Sequence, residues 1–198
     1  EISLGLVGSE MCIRDSNEMK QKFSRLINEE IKNKQAGKPA YILIKINHIT
    51  DPVMVKKLYE ASSHGVRIDL LVRGNCSLIT GVPGVSDTIR INGIIDRYLE
   101  HSRIFIFANG GDEKMFIGSA DWMPRNLDNR VEVIAPVYDP EIKADLKRVV
   151  EYGLKDTLQG RVVDGTGENR PWISEDKTAF RSQEELYKYY LNENRIKD

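Results

Sequence analysis

Hydrophobic residues near the start of the chain recur every three or four positions. Between residues 18 and 34 this spacing places the apolar side chains on one face of a helix: Met19, Phe23, Leu26, Ile27 and Ile31. Gly37 and Pro39 follow this stretch, and both residues are typical of the end of a helix. We therefore predict an N-terminal helix over residues 17–36.

The next stretch alternates between strand and helix patterns. Residues 41–46 form a short apolar run typical of a buried strand. Asp51 and Pro52 then supply an N-cap and a first-turn proline for a helix that we expect to reach His64 and Gly65. Residues 66–72 form a second apolar run, and a strand–helix–strand unit of this length implies that the two strands pair in parallel.

Further strand patterns follow after a glycine-rich stretch. We predict four more strands, at residues 89–95, 103–107, 114–118 and 130–137. Residues 109–112 read Asn-Gly-Gly-Asp and predict a hairpin-like turn between two of these strands. Asp139 and Pro140 then open a helix that runs to about Lys155.

The order of elements indicates an α/β fold with a mixed sheet flanked by helices. We assign the main domain to residues 37–158. Residues 159–198 are predicted to form a C-terminal tail, with a polar loop at 159–177 and a short helix at 183–192.

The first sixteen residues read differently from the rest of the chain. Residues 6–16, LVGSEMCIRDS, resemble the translation of an adapter used in preparing sequencing libraries. They lack the apolar core of a secretion signal, and Glu10 interrupts them. We interpret residues 1–16 as non-native, with a genuine N-terminal segment as the alternative. If this is correct, the natural protein continues upstream of Asn17 and the chain is a fragment.

Composition, net charge and cysteine count limit the classes of protein to which the chain can belong. Hydrophobic residues make up 40% of the chain and charged residues 30%, as in ordinary globular domains, and no apolar run is long enough to span a bilayer. The net charge is −1, so binding of an anionic partner has to depend on locally placed Arg and Lys. Two cysteines are too few for a disulfide framework, which favours the reducing cytoplasm.

The chain has three histidines, and their surroundings differ. His48 follows a predicted strand and His64 ends a predicted helix, so both are interpreted as structural. His101 opens the sequence EHSR directly before a predicted strand, where alternation places it on the same face as Arg103. A titratable imidazole beside a guanidinium suits a phosphoryl group, although a structural histidine explains this pattern equally well.

A second group of polar residues follows the predicted strand at 114–118. Ser119, Asp121 and Asn126 come after Gly118, and Glu132 lies further along the chain. Small residues let a backbone approach a ligand, and the Ser119 hydroxyl can donate to it. Asp121 and Asn126 can orient a neighbouring side chain or accept from a ribose hydroxyl. A turn stabilised by Ser and Asp side chains is the structural alternative.

These residues in this order resemble half of a phospholipase D-type active site. That family has a histidine, any residue and a lysine, followed by Gly-Ser and later by Asn and Glu. The sequence departs from the pattern at Arg103, where lysine is usual, and at Ala108, where an aspartate is expected. Both differences argue against an ordinary phosphodiesterase.

A longer stretch, essentially from Asn17 to the C-terminus, resembles the polyphosphate kinase family. The motifs VRG, PGVS, EHSR, NGG, GSADWM and VVDGTGENRP occur in this order. The resemblance implies a phospholipase D-like α/β domain that contributes to reversible transfer of the terminal phosphate of ATP to polyphosphate. In that family the transfer proceeds through a phosphohistidine in an upstream domain, so this chain alone is expected to be inactive.

The resemblance also assigns roles to residues. Arg73 matches an arginine that contacts the nucleotide phosphates, and His101 matches a second active-site histidine near those phosphates that can transfer protons. Arg130 and Glu132 match pocket residues that bind or orient phosphate and histidine. Ser119, Asp121 and Asn126 are expected to support them.

The resemblance further implies ATP or ADP and polyphosphate as partners, together with the upstream domains of the same chain. Mg²⁺ is expected to be bound mainly by the upstream domain, with no metal site in this chain. We expect a cytoplasmic protein without a nucleic-acid partner, and leave open homo-oligomerisation and a peripheral association with the inner membrane. The alternatives are a phosphodiesterase of the phospholipase D superfamily and a non-catalytic half that only binds nucleotide.

Overall fold

The structure, a computed structural model, describes residues 16–173 and 178–195 of the chain. The interpretation of residues 1–16 as non-native therefore concerns residues outside the described part, except for Ser16, which begins the first helix. The five helices of the described part are α1 (Ser16–Gln35), α2 (Pro52–Ser63), α3 (Pro124–Asn129), α4 (Pro140–Lys155) and α5 (Ser182–Arg195). The seven strands are β1 (Tyr41–Ile46), β2 (Arg67–Val72), β3 (Ile89–Ile94), β4 (Arg103–Phe107), β5 (Lys114–Gly118), β6 (Ile134–Val137) and β7 (Gly160–Val162).

All seven strands form one mixed sheet in the order β6-β5-β4-β1-β2-β3-β7. β1, β2 and β3 run parallel to one another, so the parallel pairing predicted for the strand–helix–strand unit is confirmed. The other pairs are antiparallel. A 3₁₀ turn at Asn109–Gly111 joins β4 to β5, as the Asn-Gly-Gly-Asp sequence predicted. The expected α/β class with a mixed sheet flanked by helices is confirmed.

Alternate residues of the central strands supply two apolar layers, one on each face of the sheet. On one face, α1, α2 and α3 cover β1 to β4, and the ring centroid of Phe23 lies 4.6 Å from Phe105 and 5.1 Å from Trp122. On the other face, α4 packs through Val150 near Leu71. Burial of these layers fixes the register, because a slip of one residue would exchange the two faces.

The predicted helix starts at Asp51 and Asp139 are also observed. The Asp51 side chain accepts hydrogen bonds from the backbone N–H groups of Val53 and Met54. The Asp139 side chain does the same for the second and third residues of α4. Each carboxylate satisfies donors that a helix start leaves unpaired.

The structure corrects the sequence prediction in two places. The strand predicted at 130–137 begins only at Ile134, because the buried side chain of Glu132 turns back toward α3, a helix that the sequence analysis missed. β7 lies within the segment predicted as a loop and pairs with the edge of β3. Three residues are too few to show a strand period, so the pattern gave no signal for β7.

In the described parts of the chain, no helix combines the length and the apolar character needed to cross a membrane.

Candidate active site

The candidate residues gather at one edge of the sheet. Asn47 and Arg73 directly follow the parallel strands β1 and β2. β4 runs antiparallel to β1, so the start of β4, preceded by His101, lies at the same edge. The end of β5 and the start of β6 also reach this edge, and they carry Asp121 and Glu132 in the flanking loops. Loops at the carboxyl ends of parallel strands are the usual place for a ligand in such folds.

The structure brings Arg73 and His101 into contact. Nη2 of Arg73 lies 3.0 Å from Nδ1 of His101. A guanidinium can only donate a hydrogen bond, so Nδ1 has to accept and carries no proton. Neutral His101 therefore carries its proton on Nε2, and Nε2–H can donate a hydrogen bond to an incoming oxygen.

Asn47 contacts the Arg73 guanidinium at Nε, whereas His101 contacts it at Nη2. The Asn47 side chain is buried, and Oδ1 accepts a hydrogen bond of 2.6 Å from Nε of Arg73. Asn47 was not among the site residues predicted from the sequence. Its position directly after β1 was the only available signal, because a polar residue at the carboxyl end of a buried strand is a common ligand-site position.

Asp121 and Arg103 form a mostly buried ion pair, with side chains 7% and 10% exposed. Arg103 donates to both carboxylate oxygens, over 3.2 and 3.0 Å. Asp121 also accepts from the backbone N–H groups of Asn47 and His48. Nη1 of Arg103 donates to the backbone oxygen of His101 over 3.0 Å. Asp121 therefore orients Arg103, which in turn holds the backbone of His101.

These charges change two pKa values. The positive charge of Arg103, followed by partial loss of hydration and by Arg73, lowers the pKa of His101 below its usual 6.5, and the opposite effect of Asp121 is smaller. Burial alone would raise the pKa of Asp121, but the hydrogen bonds and charge of Arg103 outweigh burial and lower it. Near neutral pH the site thus combines a neutral imidazole with two guanidinium groups.

Ser119, Asn126 and Glu132 form a separate cluster. Glu132 is buried and accepts hydrogen bonds from Nδ2 of Asn126, over 2.6 Å, and from the Ser119 hydroxyl. The Ser119 oxygen accepts from the backbone of Val133. Within the described residues, no hydrogen bond or ion pair connects this cluster to Arg73 or His101. Its polar groups fix the loop between β5 and β6.

Arg130 lies on the exposed side of the same loop. It follows α3 directly, and its side chain forms no hydrogen bond or ion pair with any residue that the structure describes. The structure thus leaves the Arg130 guanidinium available to an anion but does not place it against Arg73 or His101.

The other two histidines have local structural contacts. Nδ1 of His48 accepts from the backbone N–H of Asn75, and its ring lies so close to Gly74 that a Cβ there would be 2.3 Å from Cε1. His64 lies at the end of α2, with Nδ1 2.8 Å from the backbone oxygen of Glu60. Both contacts agree with the structural interpretation.

The residues present do not fit a magnesium site. The described part of the chain contains no group of three or more His, Cys, Asp or Glu side chains that could hold a metal ion. The two buried carboxylates at this edge are already engaged, Asp121 by Arg103 and Glu132 by Ser119 and Asn126. The nearby cationic side chains would also repel a metal cation.

Comparison with known proteins identifies relatives of the chain. Residues 13–183 match the family described as polyphosphate kinase C-terminal domain 2. Polyphosphate kinase from Escherichia coli K12 is 44% identical over 164 residues, which cover 83% of this chain and 24% of the relative. The chain spans about a quarter of the length of the curated relatives it matches.

Two solved structures are similar to the chain. The crystal structure of polyphosphate kinase from Porphyromonas gingivalis has a TM-score of 0.87 at 39% identity, covering 94% of this chain and 28% of that protein. NucT from Helicobacter pylori has a TM-score of 0.51 at 14% identity, covering 73% of this chain and 94% of NucT, a similarity that shows the fold alone. The α/β fold with a mixed sheet flanked by helices, which the sequence predicted, is thus shared with both proteins.

Proposed function

The chain belongs to the polyphosphate kinase family, and we propose that it supplies the part of such an enzyme that binds the phosphates of ATP. The observation that carries this proposal is the contact between Arg73 and His101 at the carboxyl edge of the sheet. Arg73 offers a fixed cation and His101 offers a proton on Nε2. Phosphoryl transfer needs mainly positioning and neutralisation of charge on the phosphate oxygens, and these side chains supply both.

The proposed reaction is reversible transfer of the terminal phosphate of ATP to a polyphosphate chain through a phosphohistidine. In the first step a histidine nitrogen outside this chain attacks the γ-phosphorus, and the bond to the β–γ bridging oxygen of ATP breaks to release ADP. In the second step the terminal oxygen of polyphosphate attacks the phosphorus of the phosphohistidine, and the P–N bond breaks to restore the histidine. A covalent intermediate lets the nucleotide and the polymer use one site in turn.

The residues of this chain would act on the nucleotide side of that reaction. Arg73, held by Asn47, would neutralise phosphate oxygens through its planar guanidinium. Nε2–H of His101 would donate to the oxygen on which negative charge develops when ADP leaves. Mg²⁺ would be held by residues of an upstream domain and would neutralise phosphate charge.

The proposed location is the cytoplasm, where ATP is available. The described part of the chain has one cysteine, Cys76, which is not in a disulfide, and this is compatible with a reducing compartment. ATP or ADP and polyphosphate are the proposed partners.

Titration of ATP into the chain tests phosphate binding directly. We expect the ring signals of His101 to shift with ATP in an NMR titration. Arg73→Lys keeps the charge but cannot reproduce the bonds to both Asn47 and His101, so it should weaken ATP binding about tenfold, the cost of one good hydrogen bond to a charged group. Arg125→Lys, at an exposed position in α3, is the matched control and should leave the affinity unchanged.

Equal affinities for Arg73→Lys and the unchanged chain would place Arg73 outside the binding site. Hydrolysis of a phosphodiester substrate by the chain would instead favour the phosphodiesterase alternative. The sequence argues against that alternative at position 108, where the pattern of that superfamily has an aspartate and this chain has the buried Ala108.

A further inference from the structure

His101 belongs to a loop that regular secondary structure does not hold. Residues 95–102, named the His101 loop here, connect β3 to β4. In the described residues, no backbone–backbone hydrogen bond outside the strands involves this loop. Its apolar side chains Ile95, Tyr98 and Leu99 are between 60% and 78% exposed, so burial does not hold it either. A loop of this kind is expected to be mobile unless side chains from elsewhere fix it.

The amide of Gln183, at the start of α5, binds the middle of the His101 loop. Oε1 accepts from the backbone N–H of Tyr98 over 2.9 Å, and Nε2 donates to the backbone oxygen of the same residue over 2.9 Å. Nε2 also lies 2.9 Å from the carboxylate of Glu100. Gln183 therefore satisfies both backbone groups of Tyr98, as a neighbouring strand would.

Two further ion pairs, formed by Glu100 and Asp96, fix the two ends of the loop. Glu100, directly before His101, lies 3.0 Å from Nζ of the buried Lys45 on β1. At the other end, Arg181 donates two hydrogen bonds, of 2.9 and 2.6 Å, to the carboxylate of Asp96, whose side chain is 3% exposed. A bidentate arginine–carboxylate pair is among the strongest polar contacts in proteins.

The start of α5 is itself fixed to the core. The buried carboxylate of Asp156 accepts from the backbone and the hydroxyl of Ser182, each over 2.7 Å. Its other oxygen accepts from the backbone of Leu158 and Gln159 after the end of α4. α4 packs on the sheet, so a short chain of contacts leads from the core through Ser182 to the His101 loop.

We propose that Gln183 is a positioning residue that holds the His101 loop in place and thereby sets how strongly the Arg73–His101 pair binds phosphate. The last part of this statement rests on the proposed function, whereas the positioning of His101 does not. Without Gln183 the backbone of Tyr98 loses its only hydrogen-bond partner in the described residues, and Glu100 loses one of two. Arg103, Lys45 and Arg181 still contact the ends of the loop, but its middle has lost its partner. The loop then samples arrangements in which His101 lies away from Arg73 for part of the time, and affinity falls with the fraction of chains that remain competent.

The test compares Gln183→Ala with the unchanged chain by NMR. The chain has only three histidines, so His101→Gln suffices to assign the His101 ring signals. In Gln183→Ala we expect the order parameter of the His101 amide to fall from the rigid range of about 0.85 to below about 0.6. We also expect the pKa of His101 to move up toward 6.5, because its ring leaves the field of Arg103, Arg73 and Lys45. The ring signals of His48 and His64 should stay where they are.

Glu185→Ala is the matched control, because Glu185 lies on the same helix and, among the residues that the structure describes, its side chain bonds only to Lys188. It should leave the His101 signals unchanged. ATP titration then measures the effect on binding. We expect Gln183→Ala to bind ATP about tenfold more weakly, which corresponds to about one tenth of the chains holding His101 in the binding position.

The outcomes separate the two proposals. A folded Gln183→Ala with an unchanged order parameter and an unchanged pKa of His101 overturns the positioning role. If Gln183→Ala does not fold, Gln183→Glu still accepts from the backbone N–H of Tyr98 but cannot donate to the Tyr98 oxygen or to Glu100, and unchanged His101 signals in that variant overturn the proposal equally. If the unchanged chain does not bind ATP, the proposed function fails, while the NMR signals of His101 still decide the role of Gln183.

Discussion

The guanidinium of Arg73 lies 3.0 Å from Nδ1 of His101, although 28 positions separate the two residues in the sequence. The contact assigns the His101 proton to Nε2 and places a permanent cation beside the imidazole. Arg103, on the same edge, adds a second positive charge and holds the backbone of His101. The chemistry of His101 therefore depends on two arginines, and its titration reports on both.

We expect His101 to titrate below pH 6.5, since the charge of Arg103, partial loss of hydration and the charge of Arg73 all lower its pKa. Arg103→Gln should raise the pKa of His101, because it removes the largest of these effects and leaves Asp121 without its cation. NMR titration of the ring signals measures both values, with the signals of His64 as an internal reference. An unchanged pKa in Arg103→Gln would contradict the electrostatic account.

The same lowered pKa predicts how this site affects stability as the pH changes. Between the pKa of folded His101 and 6.5, the unfolded chain binds more protons at this residue than the folded chain does. The contribution of His101 to stability therefore falls as the pH drops through this window and is restored above it. Chemical denaturation at several pH values should show a smaller loss in His101→Gln, which cannot titrate.

In a complete polyphosphate kinase that carries this chain, His101→Ala should lower turnover by about 10²–10⁴-fold, the usual contribution of general acid–base assistance. The melting temperature should change little, because His101 is exposed before β4. His101→Gln, which keeps a hydrogen-bond donor but cannot titrate, should be nearly as impaired. Restored activity in His101→Gln would assign hydrogen bonding rather than proton transfer, and loss of the phosphoenzyme would make His101 the nucleophile.

The chain by itself should not become phosphorylated. His48 and His64 are engaged by backbone groups, and His101 is proposed to act on the nucleotide rather than to carry the phosphate. Incubation with ATP labelled in the γ-phosphate, followed by an alkaline-stable phosphoprotein assay, should show no incorporation. Stoichiometric labelling would contradict both the proposed roles and the expectation that the nucleophile lies outside this chain.

Glu30 offers a test of stability far from the active site. It is fully buried, and its two oxygens accept from the backbone N–H groups of Asn109, over 2.6 Å, and Tyr41, over 3.1 Å. Glu30→Ala should lower the free energy of unfolding by about 2 kcal/mol, since both donors lose their partner. Glu29→Ala removes only an exposed pair with Lys32 and should cost less than about 1 kcal/mol. Equal losses in the two variants, measured by urea denaturation, would contradict the assignment.

The sequence determined the local elements of this protein. β1, β4 and β5 have the predicted ends, and α2 and α4 begin at the predicted caps. These features depend on side chains within a few residues of one another, which set the period of burial and satisfy the first N–H groups of a helix. The pairing of His101 with Arg103 at the start of β4 was accessible for the same reason, because alternation along a strand is local.

The tertiary structure decided which distant residues meet. Arg73 reaches His101 because the sheet places β1 between β2 and β4, an order that no local pattern contains. Asn47 and Gln183 became visible only as partners of Arg73 and of the His101 loop, and β7 only as a partner of β3. Such contacts depend on how strands and helices pack across the whole domain, so single residues give no local signal for them. The spacing of apolar residues shows only how residues close in sequence are buried. A site formed by the ends of several strands depends instead on the order of those strands in the sheet.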